Sequence, residues 1–230
     1  MEKRIRLKCP SNSGSMHYNF KHYYSIVLEG LADARYRFIA IDVGAYGKQS
    51  GGGIFRHNTL YQLLSSNNFN MPNARKLPLS DVELPFVILR DEAYPLLSYP
   101  MTPYPRRQLT ESRRLFNCRL SRGRRVVESA FGILADKWRI LNKHIETSPN
   151  MADRIVECMC FAQHSHREGV DEASLLALQN QEDSFSTSLD EPERQVTRSN
   201  NRSNLRARRV GDAFTVYFNS DVCRLPENSH

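Results

Sequence analysis

Two acids stand where a carboxylate could meet a ligand. Asp91 follows the run Pro85-Phe86-Val87-Ile88-Leu89 and Arg90. That short, continuous apolar stretch predicts a buried strand, and an open α/β sheet presents ligands at strand ends. Glu128 comes later, with 36 residues between the two, on a predicted helix. Each acid has a plainer reading beside this one. Asp91 reads equally as an exposed strand-end acid, and Glu128 as the i, i+4 partner of Arg124. On the same helix Arg119, Arg122, Arg124 and Arg125 could contact phosphates, which positions DNA without reading its sequence. A solvated helix face accounts for them as well. Cys158 and Cys160 form a C-x-C with no second Cys/His pair at zinc spacing, so they read as buried helical thiols.

The charge distribution supports an anionic partner. The chain carries a net charge of +7. Between Arg106 and Arg139 there are ten Lys/Arg and three acids, so this one segment holds an imbalance as large as the whole chain's. Basic concentration of this kind favours nucleic acid. Five scattered cysteines argue against a secreted disulfide framework. The start, Met-Glu-Lys-Arg-Ile-Arg-Leu-Lys, lacks the apolar core of a signal peptide, and no apolar run reaches the length of a membrane span. With 40% hydrophobic residues and a mean hydropathy of −0.55, a soluble intracellular protein with a real core and polar extensions is expected, with no membrane partner.

Alternation of polar and apolar residues predicts a strand over 4–8, and the stretches 23–31, centred on Ser25-Ile26-Val27-Leu28, and 37–43 read as two more, with a hairpin-like turn at Ala32-Asp33-Ala34-Arg35 between them. The stretch 44–53 holds five glycines and reads as a flexible loop. A helix is expected over 54–64 and a polar loop over 65–83. Four prolines between 95 and 105 exclude a long helix there. From Glu111 to Trp138, Phe116, Leu120, Val127, Phe131, Leu134 and Trp138 recur at helical spacing, with Thr110 as N-cap. Gly123 inside that helix costs about 1 kcal/mol relative to Ala and predicts a break. Further helices are expected over 151–163 and 205–219, separated by a polar, disordered linker over 164–204.

Five segments carry a resemblance. They are Lys8-Cys9-Pro10-Ser11-Asn12-Ser13-Gly14-Ser15; Asp42-Val43-Gly44-Ala45-Tyr46-Gly47; Asp91-Glu92-Ala93-Tyr94-Pro95-Leu96; the run Arg125 to Leu134 with Trp138-Arg139 after it; and Arg208-Arg209-Val210 with Tyr217-Phe218-Asn219. In this order they resemble the PIF/Harbinger transposase-derived nucleases of the DDE superfamily, over 3–163 and 205–219. The resemblance implies an α/β, RNase H-like fold: a mixed sheet of three antiparallel strands plus a following strand, flanked by helices. It implies a DDE domain over 1–163, the linker over 164–204, and a short C-terminal helix and tail over 205–230. It also implies metal-dependent cutting and joining of DNA, with Asp91 and Glu128 as catalytic and metal-binding carboxylates. Mg²⁺ would be the metal, with Mn²⁺ as the alternative, since two hard cations can hold the attacking and leaving oxygens. DNA, a Myb-like accessory protein and a nuclear location follow as expectations, with a cytoplasmic fraction as the alternative location.

The chain departs from the family pattern at several points. The first family aspartate opens a D-G-x-H segment, seven residues before the lysine of K-C-P. Met1 stands at that position, followed by Glu2, Lys3 and Arg4. Gly51 replaces an acid often found in the glycine loop, and Ala162-Gln163-His164 replaces Leu-His-Asn. Asp33 and Asp42 offer no obvious replacement, because one lies in a turn and the other is ordinary family sequence. The first strand is expected to be incomplete, the chain truncated at its N-terminus, and the upstream DNA-binding domain of many members missing. The expected function is therefore a DDE endonuclease domain, weakened or inactive. The alternatives are a non-catalytic DNA- or partner-binding protein domesticated from a transposase, and a relic or incomplete gene model.

Overall fold

The computed structural model describes residues 1–49, 53–54, 59–65, 71–90, 100–105, 109–166 and 205–223. Its elements are β1 (Glu2–Arg6), β2 (Ser25–Ala32), β3 (Phe38–Tyr46), α1 (Thr59–Ser65), β4 (Arg75–Lys76), β5 (Glu83–Leu84), β6 (Ile88–Leu89), β7 (Pro100–Met101), α2 (Glu111–Lys137), α3 (Pro149–His166) and α4 (Leu205–Phe218). Short 3-10 turns cover Arg139–Asn142 and Asp221–Cys223. The chain divides into two compact units, one of residues 2–49 and 126–199, the other of residue 1, 50–125 and 200–230.

In the first unit β1, β2 and β3 form an antiparallel meander in that order, as the three expected strands predict. β2 is central, and Ser25 to Gly30 are all buried, which explains its near-continuous apolar run. The β2–β3 turn is set by Asp33. Its Oδ1 accepts the N–H groups of Arg35 and Arg37 at 2.9 and 3.0 Å, and its Oδ2 accepts Nε and Nη2 of Arg37 at 2.8 and 2.7 Å. Burial works against the Asp33 charge, but these bonds and the Arg37 cation win and hold the carboxyl below its ordinary range. The outer edge of β1 is continued by the chain after the first 3-10 turn. Ile145 donates to Arg6 O and accepts from Lys8 N–H, both at 3.0 Å. An unpaired strand edge is thereby partly covered.

The stretch 44–53 is not simply a loop. β3 runs through Gly44 to Tyr46, and Gly44 is the extra residue of a bulge, since Val27 pairs with Ala45 and Leu28 with Val43. Its φ of +110° is a conformation that glycine adopts without strain. Gly47 follows in a turn so tight that an added Cβ would lie 2.3 Å from His17 O and 2.7 Å from Ser25 O. The helical residues 126–137 bring Phe131 against Phe38, with ring centroids 5.4 Å apart, over Gly30 of β2. α3 packs against β3 and buries Ala152, Val156, Met159 and Cys160.

In the second unit Met101, Phe116 and Leu120 form the buried centre, with Val87, Leu89, Tyr104, Val210, Phe214 and Phe218 packed around it. α4 is anchored by polar bonds as well. Tyr104 Oη donates to Asp212 at 2.8 Å and lies 3.1 Å from Thr215 Oγ1. The strand expected over 85–89 is shorter than predicted. Its residues Ile88 and Leu89 pair in parallel with Pro100 and Met101 as a two-stranded sheet, and Arg90 N–H continues the ladder to Met101 O at 3.3 Å. The expected loop over 65–83 also contains a small hairpin, β4 with β5.

α2 begins as predicted, with Thr110 Oγ1 accepting the Arg113 N–H at 3.4 Å. It runs through Gly123 without the expected break. A Cβ at Gly123 would lie 2.5 Å from Leu89 Cδ1, so this glycine makes room for a packed neighbour. The expected helix over 54–64 is described as helical at 53–54 and 59–65. The expected linker lies outside the described residues from 167 onward.

Candidate functional site

Helical spacing decides which α2 side chains reach solvent. Phe116, Leu120, Val127, Ala130, Phe131 and Leu134 are buried, so Glu128, next to Val127, faces outward and is exposed. Asp91 and the Asp91–Leu96 segment lie outside the described residues. The residue before them, Arg90, is only 4% exposed.

The four arginines proposed for phosphate contact fall into two groups. Arg119 is engaged: its Nη2 donates to Cys223 O, and its guanidinium carbon lies 5.5 Å from the Phe218 ring centroid. Arg124 places Nη2 4.0 Å from the Met1 sulfur. Arg122 is exposed and Arg125 half-buried, and neither forms a hydrogen bond or ion pair with the described residues.

The segment Met1-Glu2-Lys3-Arg4 is expected to stand in place of D-G-x-H. Met1 brings a soft thioether, whereas hard cations take oxygen ligands. The Arg4 side chain is 6% exposed. It donates to Gly47 O, to Gln49 O at 3.1 Å and to Glu2 Oε1 at 3.2 Å, and it lies 4.8 Å from the Phe20 ring centroid. Arg4 therefore ties β1 to the turn after β3. Glu2, Glu29 and Asp42 form one cross-strand row. Even so, no group of three or more His, Cys, Asp or Glu among the described residues is arranged to hold a metal ion. Asp33 is committed to its turn. The described residues do not fit a divalent-cation centre.

Other family positions are structural. Gln163 is 1% exposed. Its amide nitrogen donates to Tyr36 O at 3.2 Å and to Ala130 O at 3.3 Å, linking α3 to the β2–β3 turn and to α2. Cys160 is buried, and its thiol is pushed up to about 12 by burial and by Glu157. Cys158 is exposed, contrary to the expectation that both thiols are buried: the two stand two residues apart on α3, which turns them to different sides of the helix.

The Lys8–Ser15 loop is closely structured. Ser13 Oγ donates to Pro10 O at 2.9 Å, and Asn12 and Gly14 have positive φ of 56° and 51°. The loop and the residues before α3 border a cavity of about 520 Å³, with Lys8, Ser11, His17, Tyr46, Glu146 and Thr147 among its walls. Sequence reading missed His17, Tyr46, Arg4 and Gln163. The close spacing of Lys8, Ser11, Ser13 and His17 was visible, but their convergence with 146–149 depends on the Arg6–Ile145 pairing.

The family described as DDE superfamily endonuclease matches residues 3–162. Among curated proteins, Protein ALP1-like of Arabidopsis thaliana is 30% identical over 120 residues, covering 52% of this chain and 29% of its own length. The Arabidopsis thaliana protein Antagonist of Like Heterochromatin Protein 1 is 27% identical over 120 residues, covering 52% of this chain and 30% of its own length. The matched stretch thus spans under a third of these relatives. No solved structure matches. No helix among the described residues is long and apolar enough to cross a membrane. The chain belongs to the DDE superfamily endonucleases, a nuclease family acting on DNA, in its Harbinger transposase-derived branch.

Proposed function

We propose that this chain is a transposase-derived DDE domain that engages DNA through its backbone and cleaves phosphodiester bonds weakly or not at all. The observation that carries this reading is the Arg124 guanidinium beside Met1, at the position where the family resemblance implies the first catalytic aspartate. A guanidinium remains charged at any working pH. Beside a site meant to collect divalent cations, it opposes them by Coulomb repulsion.

Asp91 and Glu128 are the remaining carboxylates of the lineage. Mg²⁺ or Mn²⁺ is the metal their ancestors would have used. Two acids without a third bind such an ion poorly, because Mg²⁺ demands several hard oxygens in a near-octahedral arrangement. DNA is the partner, held by cations that contact phosphates. The net charge of +7 and the exposed Arg122, which has no ion pair among the described residues, support this. A nuclear location follows from a DNA partner, and a Myb-like accessory protein from the family resemblance. The same observations favour a domesticated, non-catalytic DNA-binding protein as the second reading.

The test is nicking of supercoiled plasmid by the full chain with Mg²⁺ or Mn²⁺, beside Asp91→Ala and Glu128→Gln. Background nicking in all three is expected. Efficient metal-dependent nicking by the unmodified chain, far above background and lost in Asp91→Ala, would overturn the proposal.

A further inference from the structure

The cavity beside the Lys8–Ser15 loop has a composition that its place in a carboxylate nuclease does not explain. It carries the cation Lys8 and the carboxylate Glu146, with serines and a threonine also in its lining. Tyr46 and His17 form an aromatic wall, with ring centroids 5.1 Å apart and planes at 78°. Tyr46 is 41% exposed, so its ring is accessible. His17 is 6% exposed. Its Nδ1 lies 3.4 Å from Ser25 O, so the ring is held against β2.

The walls are set before any ligand arrives. Lys8 N–H is held by Ile145 O at 3.0 Å, and Lys48 N–H by Met16 O at 3.1 Å. Gly47 permits the close approach of the Tyr46 turn to His17. Ser148 O accepts the N–H groups of Met151 and Ala152 at 3.1 and 3.0 Å, so the start of α3 contributes hydroxyls more than free amides. A volume of about 520 Å³ lies within the range of small-molecule sites.

We propose that this cavity binds one unpaired nucleotide, with Lys8 against its phosphate, the Tyr46 ring against its base, and Glu146 accepting from a sugar hydroxyl or a base amino group. The Lys8–Glu146 pair at 3.0 Å has both side chains about two-thirds exposed. Such a pair contributes little and separates at small cost when each charge meets a ligand group. Stacking on an aromatic ring is tolerant of base identity. Neither Asp91 nor Glu128 is among the residues that line it, and it requires no catalysis. A free mononucleotide and a nucleotide within a single strand share this chemistry.

The experiment titrates the full chain with 2′-deoxyadenosine 5′-monophosphate, with deoxyadenosine, and with an eight-nucleotide single-stranded DNA, following isothermal heat. The same titrations are made on Lys8→Met and Tyr46→Leu. Both positions are exposed, and unchanged thermal melting verifies their folding. The monophosphate is expected to bind more tightly than the nucleoside, and Lys8→Met to weaken it about tenfold. Binding of the monophosphate and the strand identifies a site open to free nucleotides. Binding of the strand alone, weakened by Lys8→Met and by Tyr46→Leu, identifies a site for strands. No binding of either ligand, or binding that neither substitution weakens, would overturn the proposal. The plasmid-nicking result is independent of all these outcomes.

Discussion

Arg124 places Nη2 4.0 Å from the sulfur of Met1. A cation and a soft thioether thus meet where the family resemblance leads one to expect a carboxylate. The first prediction is that Mg²⁺ and Mn²⁺ leave the melting temperature of the full chain unchanged. A ligand that binds only the native state stabilises it in proportion to the logarithm of its concentration. A melting temperature that climbs steadily with added metal, and no longer does so in Asp91→Ala, would contradict the non-catalytic reading.

Gln163 is almost fully enclosed. Its amide meets the carbonyls of Tyr36 and Ala130. Gln163→Leu keeps most of the volume but leaves both acceptors without this donor. The expected loss is about 1–3 kcal/mol, read as a lower urea midpoint with an unchanged denaturant slope. An unchanged midpoint would show that the two bonds contribute nothing net.

Gly47 poses a steric test. A methyl group there collides with backbone carbonyls of His17 and Ser25, which cannot swing aside as a side-chain end can. Gly47→Ala should cost about 1–3 kcal/mol through this overpacking. Gly132, where an added Cβ meets nothing within 4 Å, provides the matched control. Gly132→Ala sits in the interior of α2 and should stabilise by a few tenths to about 1 kcal/mol. Equal effects at both positions would argue against the close approach.

The glycines of 44–53 mark the limit of what was legible in the sequence. Alternation around Ile5 and the apolar stretches around Ile26 and Ile41 revealed the meander, the recurrence from Phe116 to Leu134 revealed α2, and the threonine before it marked the Thr110 cap. Such patterns arise because local periodicity places apolar side chains on one face. The stretch 44–53 read as flexible because glycine permits many conformations. Only tertiary contact shows that Gly44 serves a bulge and Gly47 a close approach. Arg119, similarly, looked like its neighbours in sequence. Its engagement depends on Phe218 and Cys223, about a hundred positions away. Neither Asp91 nor any contact it makes falls among the described residues, so its role rests on the motif around it.

The cysteines separate by environment. Cys160 is held up to about 12 by burial and by the nearby Glu157 charge, whereas Cys9, Cys118 and Cys158 are exposed. The thiolate is the nucleophile, so iodoacetamide at pH 8 should label the three exposed thiols and spare Cys160 until the chain unfolds. A folded-state value above the unfolded one contributes stability below the unfolded value. That contribution is lost as the pH rises from the ordinary thiol range, about 8.5, toward about 12. Cys160→Ala should therefore show a flatter alkaline decline in stability than the unmodified chain. Mass spectrometry that finds Cys160 labelled as fast as Cys158 would place it in a different environment.

The two groups of arginines make the DNA reading separable from the stability of α2. A phosphate contact releases condensed counterions, so each one lost should reduce the slope of log affinity against log salt by about one. Arg122 and Arg125 make no hydrogen bond or ion pair with the described residues, so Arg122→Ala and Arg125→Ala should each weaken binding of a duplex uniformly across sequences. Each should lower that slope while leaving thermal melting nearly unchanged. Arg119 is spent on Cys223 and Phe218. Its replacement by Ala should lower the melting temperature and leave the salt slope as it was. Fluorescence anisotropy across a salt series measures the slopes, and calorimetry the melting. A salt-insensitive affinity would remove phosphate contact from the account, and a slope change in Arg119→Ala as large as that in Arg122→Ala would show that the Phe218 contact yields to DNA.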